Sequence, residues 1–291
     1  MNTVGIVSPG AMGSAVGHVL AAGGARVVAT LEHRSARTAK LAERIELLPS
    51  LDAVVEASQV VLSIVPPGEA LAVAGAMADA ASRTGSRPTV ADLNAIAPST
   101  MEAVAARLER SGLSAVDGSI SGPPPRRAGA TIVYLSGVRA AEVASLPAPG
   151  LELRVVGGRI GMASAIKMST GSFYKGETAL LAQALRAARA NGVLEPVIDD
   201  IRRNDPEAVD DAPRMLQSIA AKSGRYVAEM REIAATQEEA GLTPDLFEAL
   251  ATVFLQLSET EAARLAPEQV DPRAALEDVL ASIDGRIGDG G

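Results

Sequence analysis

The residues that most restrict the fold are a β-branched run, Thr3-Val4-Gly5-Ile6-Val7, the turn Ser8-Pro9-Gly10-Ala11-Met12-Gly13, and an alanine-rich stretch of helical period over 11–22. This is G-x-G-x-x-G between a strand and a helix, with Ser8 in the place of the first glycine. In that setting Gly10 lets the backbone approach a pyrophosphate, and Gly13 allows close helix–strand packing. The N–H groups of the new helix then face the anion. Ser8, Pro9, Gly10, Ala11, Met12 and Gly13 are therefore expected to line a dinucleotide site.

The pattern continues as alternating short β-branched runs and helical stretches, with strands expected over 26–31, 60–65, 89–93, 115–118, 130–135 and 153–156. Such alternation implies βαβ units and a parallel sheet. From Met162 onward no strand is expected; Ala, Leu, Glu and Arg dominate, with breakers at Asn191-Gly192, Asn204-Asp205-Pro206, Gly241 and Pro244. The expected organisation is a nucleotide-binding domain over 1–160, an interdomain helix over 161–190 and a helical domain over 191–291. Gly171 and Gly176 each weaken that helix by about 1 kcal/mol relative to alanine.

Loops after the later strands extend the site. The second strand ends in Glu32-His33-Arg34-Ser35-Ala36-Arg37, where a dinucleotide fold selects its ribose. An acidic residue there suits the 2′-hydroxyl of NAD, whereas Arg34, Ser35 and Arg37 suit the 2′-phosphate of NADP. The two cues conflict, and NADP is favoured on the charge-assisted donor and hydroxyl of Arg34-Ser35, with NAD left open. Val65, Pro66 and Pro67 leave the sheet at a strand's carboxyl end, and Asp92-Leu93-Asn94 repeats the arrangement one unit on. The run Asp117-Gly118-Ser119-Ile120-Ser121-Gly122, followed by prolines and Arg126-Arg127, reads as a carboxylate cradle.

Composition narrows the chemistry. Lys plus Arg is 27 against 35 Asp plus Glu, a net charge of −8, which argues against a general nucleic-acid binder or a binder of anionic membranes. There is no cysteine, so thiolate nucleophiles and Cys-ligated metals are excluded. His18 and His33 are the only histidines, too few for a multi-His metal site. No metal is expected. Lysine occurs only at 40, 167, 175 and 222, the other cationic residues being arginine. Along a helix Thr170, Gly171, Tyr174 and Lys175 share roughly one face with Lys167. Desolvation beside a cationic nicotinamide would pull the lysine pKa down from about 10.4 and make it a usable base.

Taken together these motifs resemble the β-hydroxyacid dehydrogenase superfamily, which includes 6-phosphogluconate and 3-hydroxyisobutyrate dehydrogenases. The resemblance spans about residues 3–180. It rests on the ordered motifs at 10–13, 92–98, 119–122 and 161–167. It implies a Rossmann-type α/β fold, a doubly wound, mostly parallel sheet followed by an all-α C-terminal domain. It also implies that Lys167 is general base in hydroxyl oxidation and general acid in reduction. Ser119, Ser121 and Gly122 would bind substrate carboxylate. Three positions depart from the pattern: Ser8 replaces a glycine, Asn94-Ala95 stands where Ser-Thr is usual, and Gly171 stands where a substrate-binding asparagine is usual. Ser172, Tyr174 or Lys175 are the residues able to compensate. The region after about Asn191 looks like the short helical domain of a branch of 6-phosphogluconate dehydrogenase-like proteins.

The sequence thus leads to an NADP-dependent oxidoreductase acting on a hydroxyl or carbonyl of a small carboxylate-bearing substrate. Reduction of an imine, or a catalytically inactive dinucleotide sensor or scaffold, stand as alternatives. No stretch of 18 apolar residues occurs, and a cytoplasmic protein without membrane or nucleic-acid partners is expected. A helical stripe of Leu246, Leu250, Phe254 and Leu257 points to a homodimer through the helical domain.

Overall fold

In a computed structural model the protein is described over residues 2–32, 35–266, 269–271 and 273–284. The chain divides into two compact units, Met1–Ser169 and Thr170–Gly291.

The first unit alternates β1 (Thr3–Val7), α1 (Ala11–Ala22), β2 (Arg26–Ala29), α2 (Ala36–Leu41), β3 (Glu46–Leu47), α3 (Leu51–Ala57), β4 (Val60–Ser63), α4 (Ala70–Thr84), β5 (Thr89–Asp92) and α5 (Pro98–Glu109). It is completed by β6 (Ser114–Ser121), β7 (Ile132–Ser136), α6 (Ala140–Ala144), β8 (Glu152–Gly157) and the start of α7 (Met162–Ala190). The strands form one sheet in the order β3-β2-β1-β4-β5-β6-β7-β8. All neighbouring pairs are parallel except β6 with β7.

The central strands β1, β4 and β5, short and rich in valine and alanine, are buried on both faces, as a doubly covered parallel sheet requires, whereas the edge strands β3 and β8 are largely exposed. Val4, Ile6 and Leu62 pack with Val16 and Leu20 of α1 and Val143 of α6 on one face. Val7, Val61 and Val90 pack with Met77 of α4 and with Met101 and Leu108 of α5 on the other. Strand order reverses between β1 and β4. At such a switch point the flanking connections leave on opposite faces and open a crevice beyond the carboxyl ends of the strands. The fold class expected from the sequence is the fold class observed, with strand ends shifted by a few residues and with β3 and α3 present where no element was expected. The largest shift is in β6, which continues through Ser121, so Ser119 and Ser121 belong to a strand rather than a loop.

In the second unit the rest of α7 is followed by α8 (Leu194–Asn204), α9 (Pro206–Asp210), α10 (Ala212–Ala220), α11 (Ser223–Glu239), α12 (Asp245–Ser258) and α13 (Leu276–Asp284). No strand occurs here among the described residues. Its core gathers Leu185, Leu216, Met230, Ile233, Phe254 and Leu280, all buried. Arg186 and Arg189 reach Asp284 at 2.7 and 2.9 Å and tie α13 to α7. Helix α7 is continuous over 29 residues, and neither Gly171 nor Gly176 breaks it. Of the apolar stripe on α12, Leu250, Phe254 and Leu257 are buried within the unit, and only Leu246 is exposed. The stripe is therefore explained by the unit's own core.

Candidate functional site: a dinucleotide turn and a buried polar row

The glycine-rich turn lies at the switch point, between the end of β1 and the start of α1. Ser8 is the only described non-glycine residue with positive φ, at 65°. It takes the left-handed conformation that explains why glycine is usual there. Its departure from the motif is thus one of residue type and not of backbone shape. A Cβ on Gly13 would lie 2.6 Å from the Ser8 carbonyl oxygen and 3.3 Å from Ile6 Cγ2, so only glycine lets α1 approach β1 this closely. A Cβ on Gly10 would meet nothing within 4 Å.

Gly10 caps α1 without a side-chain hydrogen bond, and the first turn carries no acidic residue. The first N–H groups of α1 thus have no capping side chain and no adjacent negative charge. That is the environment a pyrophosphate needs, and the residues present fit a dinucleotide.

The remaining sequence motifs converge on a feature that no single motif revealed. Strand register aligns Ser63 of β4 with Asp92 of β5, Asp92 with Asp117 of β6, and Asp117 with Ser136 of β7. All four are fully buried. Two carboxyl groups in one buried row must each find donors, because an unpaired buried charge is expensive.

Asp117 finds five. Its Oδ2 accepts from the backbone N–H groups of Gly161 and Ala163, each at 2.9 Å, from Ser164 N–H at 3.2 Å and from the Ser136 hydroxyl at 2.8 Å. Its Oδ1 accepts from the Ser164 hydroxyl at 2.7 Å. Those backbone donors are the first N–H groups of α7, so Asp117 caps the helix that carries Lys167. Ser119, two residues along the same strand face, donates to the Ala163 carbonyl at 2.8 Å. The Ser119 hydroxyl, expected to meet substrate, is therefore committed to the start of α7.

Asp92 is supplied differently. Asn94 donates to it from its backbone N–H at 3.0 Å and from its side-chain amide at 2.8 Å. Burial, only partly offset by these bonds and aggravated by the neighbouring Asp117, raises the Asp92 carboxyl to about 7. The Asn94 amide also donates to Ser63 Oγ at 3.2 Å, while its carbonyl accepts from Val65 N–H at 2.7 Å. Asn94 is buried and its side chain is used within the protein. It meets the expected cofactor loop by holding the backbone of Val65, at the β4 side of the crevice. Pro66 is exposed, and Pro67 is buried at the start of a 3-10 turn leading into α4.

Elsewhere the placements are mixed. Ser121 is partly exposed at the end of β6, with no hydrogen bond to its hydroxyl among the described residues. The next residue, Gly122, has φ 110°, and a Cβ there would lie 2.4 Å from the Ala130 carbonyl oxygen. Ser35 caps α2, accepting from Thr38 N–H at 3.3 Å. Arg34 lies outside the described residues. Lys167 is half-buried in the second turn of α7, between half-buried Ile166 and buried Met168. Gly171 is buried, Tyr174 is exposed and Lys175 is half-buried. No cluster of His, Cys, Asp and Glu suited to a metal occurs among the described residues. None of their helices is long and apolar enough to cross a membrane.

Sequence reasoning read Asp117 only as part of the 117–131 run and did not single out Ser136 or Ser164. The available signal was an aspartate inside a strand of otherwise small and apolar residues, which implies a buried polar partner.

A Rossmann sheet with a helix-capped anion site at its switch point defines a dinucleotide-binding α/β protein. Residues 3–148 match the NAD binding domain of 6-phosphogluconate dehydrogenase, and the chain belongs to that family. Residues 188–257 match a domain of unknown function, DUF1932. Among solved structures, protein MTH1747, described as of unknown function and structurally similar to 3-hydroxyacid dehydrogenases, is 29% identical. Its TM-score is 0.64, over 88% of this chain and 96% of that one. Mycobacterium tuberculosis 3-hydroxyisobutyrate dehydrogenase with L-serine shares the fold at 17% identity and TM-score 0.67, covering 93% and 98%. So does a reductive aminase from Aspergillus terreus with NADPH and ethyl levulinate, at 17% and 0.57, covering 98% and 99%. Comparison with curated proteins finds no match.

Proposed function

We propose that the protein is an NADP-dependent oxidoreductase interconverting a hydroxyl and a carbonyl on a small carboxylate-bearing substrate. The observation that carries this is the uncapped N-terminus of α1 at the switch point, reached through Ser8 in a left-handed turn. When bound, nicotinamide supplies or accepts a hydride. Lys167 takes the proton from the substrate hydroxyl in oxidation and returns it to the carbonyl oxygen in reduction. Asp117 acts through α7, holding the helix N-terminus from which Lys167 is positioned. The free hydroxyl of Ser121 and the tightly turned backbone at Gly122 hold the substrate carboxylate.

Preference for NADP is supported by Ser35 at the N-terminus of α2, beside Arg34 in sequence, and by the NADPH named with the Aspergillus terreus structure. Calorimetric titration with NADP and NAD tests this. Tight NADP binding weakened at least about tenfold by Arg34→Ala is expected, as for loss of a charge-assisted bond. Absence of binding by either nucleotide refutes the proposal at its base.

Imine reduction is the second reading, favoured by the likeness to the reductive aminase fold. A panel of cyclic imines assayed beside hydroxyacids and ketoacids separates the two. The Lys167→Met variant is expected to lose turnover while keeping cofactor affinity; wild-type rates in it would remove Lys167 from the chemistry. We also propose a homodimer, supported by exposed Phe173, Tyr174 and Leu180 on α7 and Leu246 on α12. Light scattering at micromolar concentration tests it, and a monomeric mass refutes it.

A further inference from the structure

A cavity of about 350 Å³, the size of a small ligand pocket, lies against α1. Ala15, His18 and Ala22 line it along the helix, with Leu41 at the end of α2 and Pro125 and Arg126 of the loop between β6 and β7. It begins beside Ala11, but at about 1.5 Å per residue Ala22 stands roughly 16 Å further along the axis. The cavity therefore follows the flank of α1, away from the N-terminal N–H groups fitted to a pyrophosphate.

His18 is half-buried, and neither of its ring nitrogens has a hydrogen-bond partner among the described residues. Nε2 is closed off from solvent, whereas Nδ1 is not. A covered N–H without an acceptor is rarer in proteins than a covered lone pair without a donor. The neutral ring therefore leaves Nε2 bare and carries its proton on Nδ1. Nδ1 becomes a donor for which the protein supplies no acceptor.

Arg126 is exposed, and its guanidinium has no hydrogen bond or ion pair among the described residues. The loop that presents it is stiff. Residues 123–125 are prolines, Arg126 N–H donates to the Pro124 carbonyl at 2.7 Å, and Thr131 Oγ1 donates to the Pro123 carbonyl at 2.6 Å. No acidic residue lines the cavity. A cation and an N–H donor, both without partners in the protein, thus stand among walls of alanine, leucine and proline. The structure sets Arg126, read from the sequence as part of a carboxylate cradle, against the flank of α1.

We propose that this cavity binds a small organic anion with an apolar body, its carboxylate paired with the Arg126 guanidinium and bonded by His18 Nδ1–H. The apolar body lies against Ala15, Ala22 and Leu41. The site is separate from that of the dinucleotide, and it does not rest on the oxidoreductase reading.

Benzoate is the probe, benzamide its neutral counterpart of the same shape, and inorganic phosphate an anion without the apolar body. The chain has only two histidines, so His33→Asn assigns the His18 imidazole signals in NMR spectra of the full chain. Nitrogen shifts are expected to show the free neutral ring protonated at Nδ1. Benzoate is expected to shift the His18 signals saturably and to bind at least about tenfold more tightly than either of the others. A charge-assisted bond accounts for the difference from benzamide, and the buried ring for that from phosphate. Arg126→Ala reduces benzoate to the affinity of benzamide. Ala15→Leu, which fills the cavity, abolishes binding of both; where it unfolds the chain, the exposed change at Arg126 carries the test. The same results are expected with NADP at saturation. Failure to saturate in the tens of millimolar, a benzoate preference unchanged in Arg126→Ala, or a neutral ring protonated at Nε2 overturns the proposal. So does displacement of benzoate by NADP, which would assign the cavity to the dinucleotide. A chain that binds benzoate in this way but neither nucleotide refutes the dinucleotide reading and upholds this site.

Discussion

Replacing Asp117 is the sharpest test of how the sheet controls α7, because an isosteric amide and a truncation at this position have different expected costs. In Asp117→Asn the amide oxygen can keep the place of Oδ2, where four of the five donors converge. What is lost is the negative charge at the helix N-terminus, about 1–2 kcal/mol for a buried site. The Ser164 hydroxyl, which donates to Oδ1, can turn and accept from the new amide instead. In Asp117→Ala every acceptor is lost. Ala163 N–H retains Ser136 Oγ at 3.1 Å, but Gly161 N–H, Ser164 N–H and the hydroxyls of Ser136 and Ser164 lose the carboxylate. At about 1–3 kcal/mol for each of these four buried groups left unsatisfied, the expected loss is at least about 4 kcal/mol. Urea denaturation of both variants measures the difference. Hydrogen exchange localises it, because a chain of two units need not unfold in one step. The amides of residues 161–164 are expected to lose protection in the alanine variant and to keep most of it in the asparagine variant. Equal destabilisation of the two, within about 0.5 kcal/mol, would refute the account of Asp117 as an acceptor hub.

Other outcomes follow from the same geometry. Ser8→Gly relieves a left-handed non-glycine residue and is expected to stabilise the protein by about 1 kcal/mol, read as a rise in Tm of about 2–4 °C; a fall would show that the serine hydroxyl is needed. Asp92, raised to about 7 by burial, holds its proton in the folded state at pH values where the unfolded chain, with a pKa near about 3.9, has released it. Its contribution to stability is therefore full below about pH 4, declines as pH rises towards 7, and is level above that. Asp92→Asn removes this dependence. The stability difference between wild type and variant should change by about 2–3 kcal/mol between pH 5 and pH 8, with wild type relatively better at pH 5. Parallel denaturation curves at both pH values would refute it.

The legible parts of this protein are those fixed by local chemistry. Residues 3–22 could be read as strand, turn and helix because β-branched residues, small turn residues and an alanine-rich period each act over a few neighbours. Gly13 could be assigned because one backbone approach needs it. Asp117 and Asn94 were read differently, because each is defined by partners far away in sequence: Gly161 to Ser164 for one, Ser63 and Val65 for the other. Ser119 follows the same rule, its hydroxyl turned to Ala163 by the extension of β6.

The apolar stripe on α12 shows the limit from the other direction. Its period is real, but whether a helix face meets its own unit or another chain depends on what packs against it. Gly171 is the clearest case. By itself the sequence placed a glycine one turn after Lys167, with Lys175 one turn further. That the ammonium of Lys175 fills the missing side chain's place, facing Glu229, depends on α7 and α11 packing together. Helical period determines which residues share a face, whereas the packing of distant elements decides which of them meet.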